Sequence, residues 1–249
     1  MHTKNYFSGI ANRYQRNRPD YPAELFQYLA MSCNDYQLAW DAATGSGQAA
    51  YLLANQFDQV VATDISQQQI EHAKAKPNIE YKVEAAEGCS LADNSVDLIT
   101  VAQALHWLEP QAFFEQVQRV LKPGGVLAVW SYPLLSVNPQ VDKVVQDLYG
   151  NLLKDYWSQR RQWVEQSYAN LSFPYPLEMV PNLSMQQTWS YQQLMGYLET
   201  WSATQRYIEE NQEDPVQIIS KPLEFAWCDI SHMKKVIWEL NLKVCRKPL

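Results

Sequence analysis

The chain has 249 residues, with 27 acidic against 20 basic side chains and a formal charge of −7. At that length one domain can bury roughly three quarters of its unfolded surface, and the acidic balance excludes the clustered Lys and Arg of a nucleic-acid or anionic-membrane surface. Cys33, Cys89, Cys228 and Cys245 are scattered without CxxC spacing, which indicates neither a zinc site nor a disulfide framework. The N-terminal stretch MHTKNYFSGIANRYQRN is too polar for a signal peptide. No run approaches the roughly 18 apolar residues of a membrane span, so the expected address is the cytoplasm.

In chain order, residues 5–30 form an aromatic and basic approach, in which Pro22 opens a helix with Leu25, Phe26 and Leu29 on its apolar face. Arg13, Arg16 and Arg18 with Tyr14 and Tyr21 are either surface decoration or a flap with a guanidinium for an anionic substrate. The apolar run Leu38-Ala39-Trp40 then meets Asp41 and turns through Thr44-Gly45-Ser46-Gly47. A helical pattern follows, with Ala49, Leu52, Leu53 and Phe57 at i, i+3, i+4 and i+8. A second strand, Val60 to Thr63, closes on Asp64, about 20 residues past the turn, where a carboxylate can accept from ribose hydroxyls.

Ser66 is a plausible cap for the helix that follows. Ile79, Tyr81 and Val83 alternate as a third strand, and Val96–Ala102 is apolar enough for a fourth strand covered on both faces. Pro110 opens a helix with Phe113, Val117, Val120 and Leu121 on one side; Lys122-Pro123-Gly124-Gly125 stops it, and Val126–Ser131 is a fifth strand. Residues 139–180 break this rhythm and read as an inserted, aromatic-rich cap. Leu183–Trp189 and Lys234–Val244 supply two more strands, with helices between them. The pattern predicts an α/β fold with a doubly wound, mostly parallel, seven-stranded sheet and a helical, aromatic cap. It reads as one domain spanning 1–249, with an N-terminal cap over 1–30, a core over 36–133 and 183–249, and the inserted cap over 139–180.

Strand, glycine turn and helix make a nucleotide pocket at the carboxyl ends of such a sheet. GSGQAA also satisfies the dinucleotide fingerprint, so an NAD(P)-dependent oxidoreductase is one reading. Asp41, four residues before the first glycine, would repel a pyrophosphate and suit a ligand carrying an ammonium and a sulfonium, S-adenosylmethionine (SAM). The run from Asp41 to Gly47 resembles the first motif of class I SAM-dependent methyltransferases, with Asp64, Val96–Ile99 and Leu121–Gly125 at the family's later landmarks. A narrower resemblance rests on Phe7–Tyr14, Arg18–Pro22, Ala104–Trp107 and Tyr197–Ala203. It points to the trans-aconitate methyltransferase-like branch with a type 11 methyltransferase domain, whose characterised members methylate carboxylates or other small molecules.

The resemblance implies a Rossmann-like methyltransferase fold, SAM as cofactor with S-adenosylhomocysteine as product, and a small-molecule substrate. By it, Asp41, Thr44, Gly45 and Gly47 would hold the methionine end, Asp64 the ribose, and Ile65 the adenine face. Ala86 and Glu87 would face the ring's edge, and Gln103, His106 and Trp107 would stand beside the sulfonium and substrate. Two departures stand out: Ala43 where the family usually has glycine, and Ala85 where a polar side chain often reads the adenine amino group. No metal is expected. A carboxylate acceptor is already ionised at neutral pH and needs no base; for a phenol or amine, His106 or Tyr14 would be the candidate. Arg18, Arg160 and Arg161 are candidate anchors for an anionic substrate, while Trp157, Trp163 and Trp201 read first as packing. A third reading is a non-catalytic SAM-fold binding protein.

Overall fold

The computed structural model describes residues 18–249. The chain divides into two compact units. Among the described residues, the sheet unit holds Tyr21–Tyr132, Gln162–Leu183 and Leu240–Leu249; the aromatic unit holds 18–20, Pro133–Arg161 and Ser184–Glu239. The segment expected as a single inserted cap is thus shared, since 162–183 belongs with the sheet.

Helix α1 (Ala23–Met31) buries Leu25, Phe26 and Leu29, the face its spacing predicts. Strand β1 (Leu38–Ala42) leads into α2 (Gln48–Leu53), and β2 (Gln59–Asp64) into α3 (Gln67–Glu71), whose Ser66 cap accepts from the Gln69 N–H. After β3 (Ile79–Val83) come β4 (Val96–Ala102), α4 (Pro110–Val120) and β5 (Leu121–Ser131). Strand β4 is buried from Val96 to Val101, as a strand covered on both faces must be. The fifth strand begins at Leu121 rather than Val126, so Lys122–Gly125 is absorbed as an irregularity: Val96 pairs with Leu121, and the next paired residue, Leu98, with Val126. Glycine is required there, because a Cβ on Gly125 would stand 2.9 Å from the Lys122 carbonyl oxygen.

In the aromatic unit, α5 (Pro139–Asp147) runs into a π-helical turn over Leu148–Leu152. Helix α6 (Arg161–Glu165) begins on the unit's last residue in that part of the chain. Strand β6 (Leu183–Trp189) precedes α7 (Tyr191–Glu199), α8 (Ser202–Asn211), α9 (Pro215–Ile218) and α10 (Ser220–Trp227). Strand β7 (Lys234–Arg246) closes the fold, starting in the aromatic unit and ending in the sheet unit.

The seven strands run in the order β3-β2-β1-β4-β5-β7-β6. β3 to β5 are parallel neighbours and β7 is antiparallel to β5. The chain winds outward from β1 to β3, then returns to lay β4 against the other side of β1. That reversal is the switch point where α/β sheets open a crevice at their carboxyl ends. The opposite ends are pinned by Asp97, 3 % exposed, which accepts from the Gln37 and Leu38 N–H groups and pairs with Lys122 at 2.6 Å. Among the described residues, no helix is long and apolar enough to cross a membrane.

Candidate active site

At the switch point β1 ends in Asp41-Ala42 and the chain turns through Ala43–Gly47 into α2. Gly45 and Gly47 have φ of +57° and +77°. A Cβ at Gly47 would collide with the Tyr81 ring reaching over from β3, one ring carbon lying 2.9 Å away. Ala43 also sits in the left-handed region, at φ 54°, which explains why glycine is the easier residue there.

Asp41 is fully buried. One oxygen accepts from the Thr100 hydroxyl at 2.7 Å; the other accepts from the Thr44 hydroxyl and from the Ala50 N–H at 3.1 Å. It therefore ties together the turn, the first turn of α2 and strand β4, standing behind the glycines rather than presenting an oxygen to solvent. Burial pushes its carboxyl up from 3.8 to about 6, against the pull of those three hydrogen bonds. Tyr81 is pushed up to about 12, first by burial and then by the Asp41 charge.

Asp64, at the end of β2, accepts from the Gly45 N–H at 2.8 Å on one oxygen and from the Ser66 N–H at 2.9 Å on the other. A carboxylate has about four acceptor positions, and with the Ile65 main chain as a third donor, capacity for a further donor remains. Burial raises its pKa, opposed by these backbone hydrogen bonds. Beside it Ile65 is 62 % exposed, a bare apolar face next to a carboxylate. Across the turn, Gln69 is buried and its Oε1 has no hydrogen-bond partner among the described residues. That oxygen lies 4.0 Å from where a Gly45 Cβ would be. An adenosyl ligand, with vicinal hydroxyls and a flat base, fits this combination of open acceptors and exposed apolar surface.

The remaining expected contacts fall into two groups. Ala86 is buried in the 3₁₀ turn Ala86–Gly88, and Glu87 accepts from the Glu109 N–H at 2.9 Å. Gln103, at φ 53°, bonds the Tyr132 main chain in both directions, Oε1 accepting at 2.9 Å and Nε2 donating at 3.4 Å. It thereby joins the ends of β4 and β5. His106 is 4 % exposed, its Nδ1 3.3 Å from the Tyr168 hydroxyl and its ring 5.0 Å from that of the half-buried Trp107.

Arg18, Arg160 and Arg161 belong to the aromatic unit. The Arg18 guanidinium lies 5.3 Å from the Tyr197 ring centroid and donates to the Thr200 carbonyl at 3.4 Å. Arg161 lies over Tyr149 and Trp157. The Arg160 N–H donates to the Ser158 hydroxyl. Tyr14 lies outside the described residues.

Sequence reading missed Thr100, Tyr81, Gln69 and Tyr168. Thr100 carried a signal, a polar residue amid the apolar VDLITVA. Tyr168 carried none, since its contact with His106 closes across 62 positions.

Comparison with known proteins fits this geometry. A methyltransferase domain family matches residues 40–129, from β1 through most of β5. A relative from Dictyostelium discoideum named as a methyltransferase is 33 % identical over 242 residues, covering 96 % of this chain and 92 % of its own. The chain belongs to the SAM-dependent methyltransferases. An uncharacterised methyltransferase of Schizosaccharomyces pombe is 33 % identical over 53 % of this chain and 55 % of its own. Among solved structures, one described as a type II methyltransferase from Anaeromyxobacter dehalogenans aligns with a TM-score of 0.86 at 36 % identity, over 93 % of this methyltransferase and 99 % of that chain. A Haemonchus contortus phosphoethanolamine N-methyltransferase, in complex with phosphomonomethylethanolamine and S-adenosylhomocysteine, shares the fold. Its TM-score is 0.54 at 16 % identity, over 99 % of this chain and 58 % of that one.

Proposed function

We propose that this methyltransferase transfers the methyl group of SAM to a carboxylate oxygen of a small-molecule acceptor, by in-line displacement and without an essential acid–base residue. The observation that carries this reading is the setting of His106, the best-placed base by sequence. It is buried, with a ring nitrogen engaged by the Tyr168 hydroxyl. A carboxylate arrives already ionised at neutral pH, so the chemistry asks the protein for alignment and exclusion of water. Positioning alone can supply roughly 7–11 kcal/mol. The narrower resemblance to the trans-aconitate methyltransferase-like branch supports the same acceptor class.

When bound, SAM supplies an electrophilic methyl group. In this reading the remaining acceptor capacity of Asp64 meets the ribose hydroxyls, and Ile65 covers the adenine face. Ala86 offers its main-chain N–H near Glu87 at the base's edge. Thr44, Gly45 and Gly47 admit the methionine end, with Asp41 stiffening the turn from behind. Gln103 fixes the start of the segment that carries His106 and Trp107; Arg18, Arg160 and Arg161, in the aromatic unit, are the cations that an anionic group could meet there.

The test is a screen for S-adenosylhomocysteine release over small carboxylic acids, phenols and amines, followed by His106→Ala on the best acceptor. Turnover on carboxylic acids, with kcat reduced by less than about tenfold, is expected. Turnover on phenols or amines alone would overturn the acceptor class, and a loss of about 100-fold or more on a carboxylic acid, the range of general-base catalysis, would overturn the absence of an essential base.

A further inference from the structure

Helices α3 and α7 both open on S-x-x-Q with the serine as cap, Ser66–Gln69 and Ser190–Gln193. In such a box the serine hydroxyl accepts from the N–H three residues on, and the glutamine side chain reaches back to the serine N–H. At α7 both halves form: the Gln193 N–H donates to the Ser190 hydroxyl at 3.2 Å, and Gln193 Oε1 accepts from the Ser190 N–H at 2.8 Å. At α3 the first half forms, the Gln69 N–H donating to the Ser66 hydroxyl at 3.3 Å. The second does not, because the Ser66 N–H is given to Asp64 Oδ1 at 2.9 Å. Asp64 thus displaces the Gln69 side chain from its usual partner.

The displaced amide does not turn to water. Gln69 is 5 % exposed, and its Oε1 is buried with no hydrogen-bond partner among the described residues. That oxygen faces Gly45, 4.0 Å from where a Cβ there would stand. Among the described residues, chain neighbours aside, no other heavy atom lies within 4 Å of that point. The N–H of the same glycine donates to Asp64 Oδ2 at 2.8 Å. Two acceptors therefore flank Gly45, and its missing side chain leaves room between them. Burying an unpaired acceptor is costly, so a donor from outside the chain is what this oxygen suits.

Asp64 alone does not satisfy a ribose. Of about four acceptor positions on a carboxylate, the main chains of Gly45, Ser66 and Ile65 take three. One position remains, whereas the ribose of SAM brings two vicinal hydroxyls. We propose that Gln69 Oε1 accepts from one ribose hydroxyl of the cofactor while Asp64 accepts from the other, which makes residue 69 a determinant of selectivity for the sugar. This rests on the reading of Asp64 as the ribose-holding residue and divides the task between two side chains.

The experiment is calorimetric titration of wild type, Gln69→Met and Gln69→Leu with S-adenosylhomocysteine and with its 2′-deoxy and 3′-deoxy forms. Thermal midpoints of the unliganded proteins are recorded alongside. Both variants should bind S-adenosylhomocysteine about tenfold weaker than wild type, the worth of one hydrogen bond to a buried group. The midpoint of Gln69→Met should not fall, so affinity is lost while the fold is kept, an outcome that a merely structural residue would not give. With one deoxy form, wild type and variant should bind alike, because the donor that Gln69 serves is gone; with the other, the penalty should remain. The Leu variant carries the same comparison should the Met variant not fold. Equal affinity of wild type and variants for S-adenosylhomocysteine would overturn the role of Gln69 and leave the reading of Asp64 standing. A penalty that persists with both deoxy forms would assign Oε1 to another donor such as the ammonium, and one that vanishes with both would deny the division; either overturns the proposal. If wild type does not bind S-adenosylhomocysteine, the reading of Asp64 falls first and the proposal with it.

Discussion

Replacing Asp41 by Asn tests the inner scaffold of the cofactor turn. The amide oxygen can take the position that accepts from Thr44 and Ala50, and its NH₂ then faces the Thr100 hydroxyl, which can rotate to accept. The variant should therefore fold, and what it loses is titration. In the wild type, burial moves the carboxyl from 3.8 to about 6. At 1.36 kcal/mol per pKa unit this is worth about 3 kcal/mol. The sign follows from proton uptake: a raised folded-state pKa means the fold prefers the protonated acid. The stabilisation is complete below the unfolded value of 3.8 and is lost as pH rises through about 6. Urea unfolding of both proteins at about pH 4, 5, 6 and 7 gives the difference, wild type minus Asn. That difference should fall by about 2 kcal/mol across the series, the remainder being already lost at pH 4, just above the unfolded value. A flat difference, or one that grows with pH as for a carboxylate held by a cation, would refute the buried, proton-favouring environment assigned to Asp41.

Other substitutions probe the same frame. Ala43→Gly removes a left-handed alanine that costs about 1–2 kcal/mol and adds roughly 0.5–1 kcal/mol of chain entropy. Denaturant unfolding should show a protein equally stable or more stable by up to about 1 kcal/mol, and a loss beyond about 1 kcal/mol would show that no strain is relieved there. Gln69→Met removes a buried acceptor with no partner among the described residues, a group that costs about 1–3 kcal/mol. The melting midpoint should rise by about 2–4 °C per kcal/mol recovered; a lower midpoint would mean that Oε1 has a partner in solution. Asp97→Ala strips a buried anchor from two backbone N–H groups and Lys122, and should destabilise by about 3–5 kcal/mol. Because Asp97 lies at the strand ends away from the turn, SAM affinity of the folded fraction should stay within about twofold, and a larger drop would show that the two ends of the sheet are coupled.

Local signals in the sequence carried far. Leu38–Trp40, the two left-handed glycines and Val96–Ala102 were legible because each element's covalent and steric demands are met within a few residues. Asp64 was legible for the same reason, its place set by one strand and one turn. Asp41 was recognised as part of the turn, but its role behind the turn depends on Thr100, which joins it only after β4 inserts beside β1. The start of β5 was misplaced because Lys122-Pro123-Gly124-Gly125 has the composition of a stop signal, yet the sheet absorbs it as an irregular stretch. The allegiance of residues 162–183 was hidden as well. Val164 and Tyr168 are buried in the core cluster around Trp40 and Phe113, with Phe173 and Tyr175 packed against it, and no periodicity within that segment names a partner so distant in the chain.

The chain passes between its two units at residues 20, 132, 161, 183 and 239. Neither unit is a continuous stretch that could be expressed or swapped alone. Tyr149 and Trp157 come from one piece, and the Trp201 that backs them comes from another. Grafting 133–161 from a relative would set new rings at 149 and 157 against the old Trp201. The packing of these rings in such a chimera should be kept only when 184–239 travels with it.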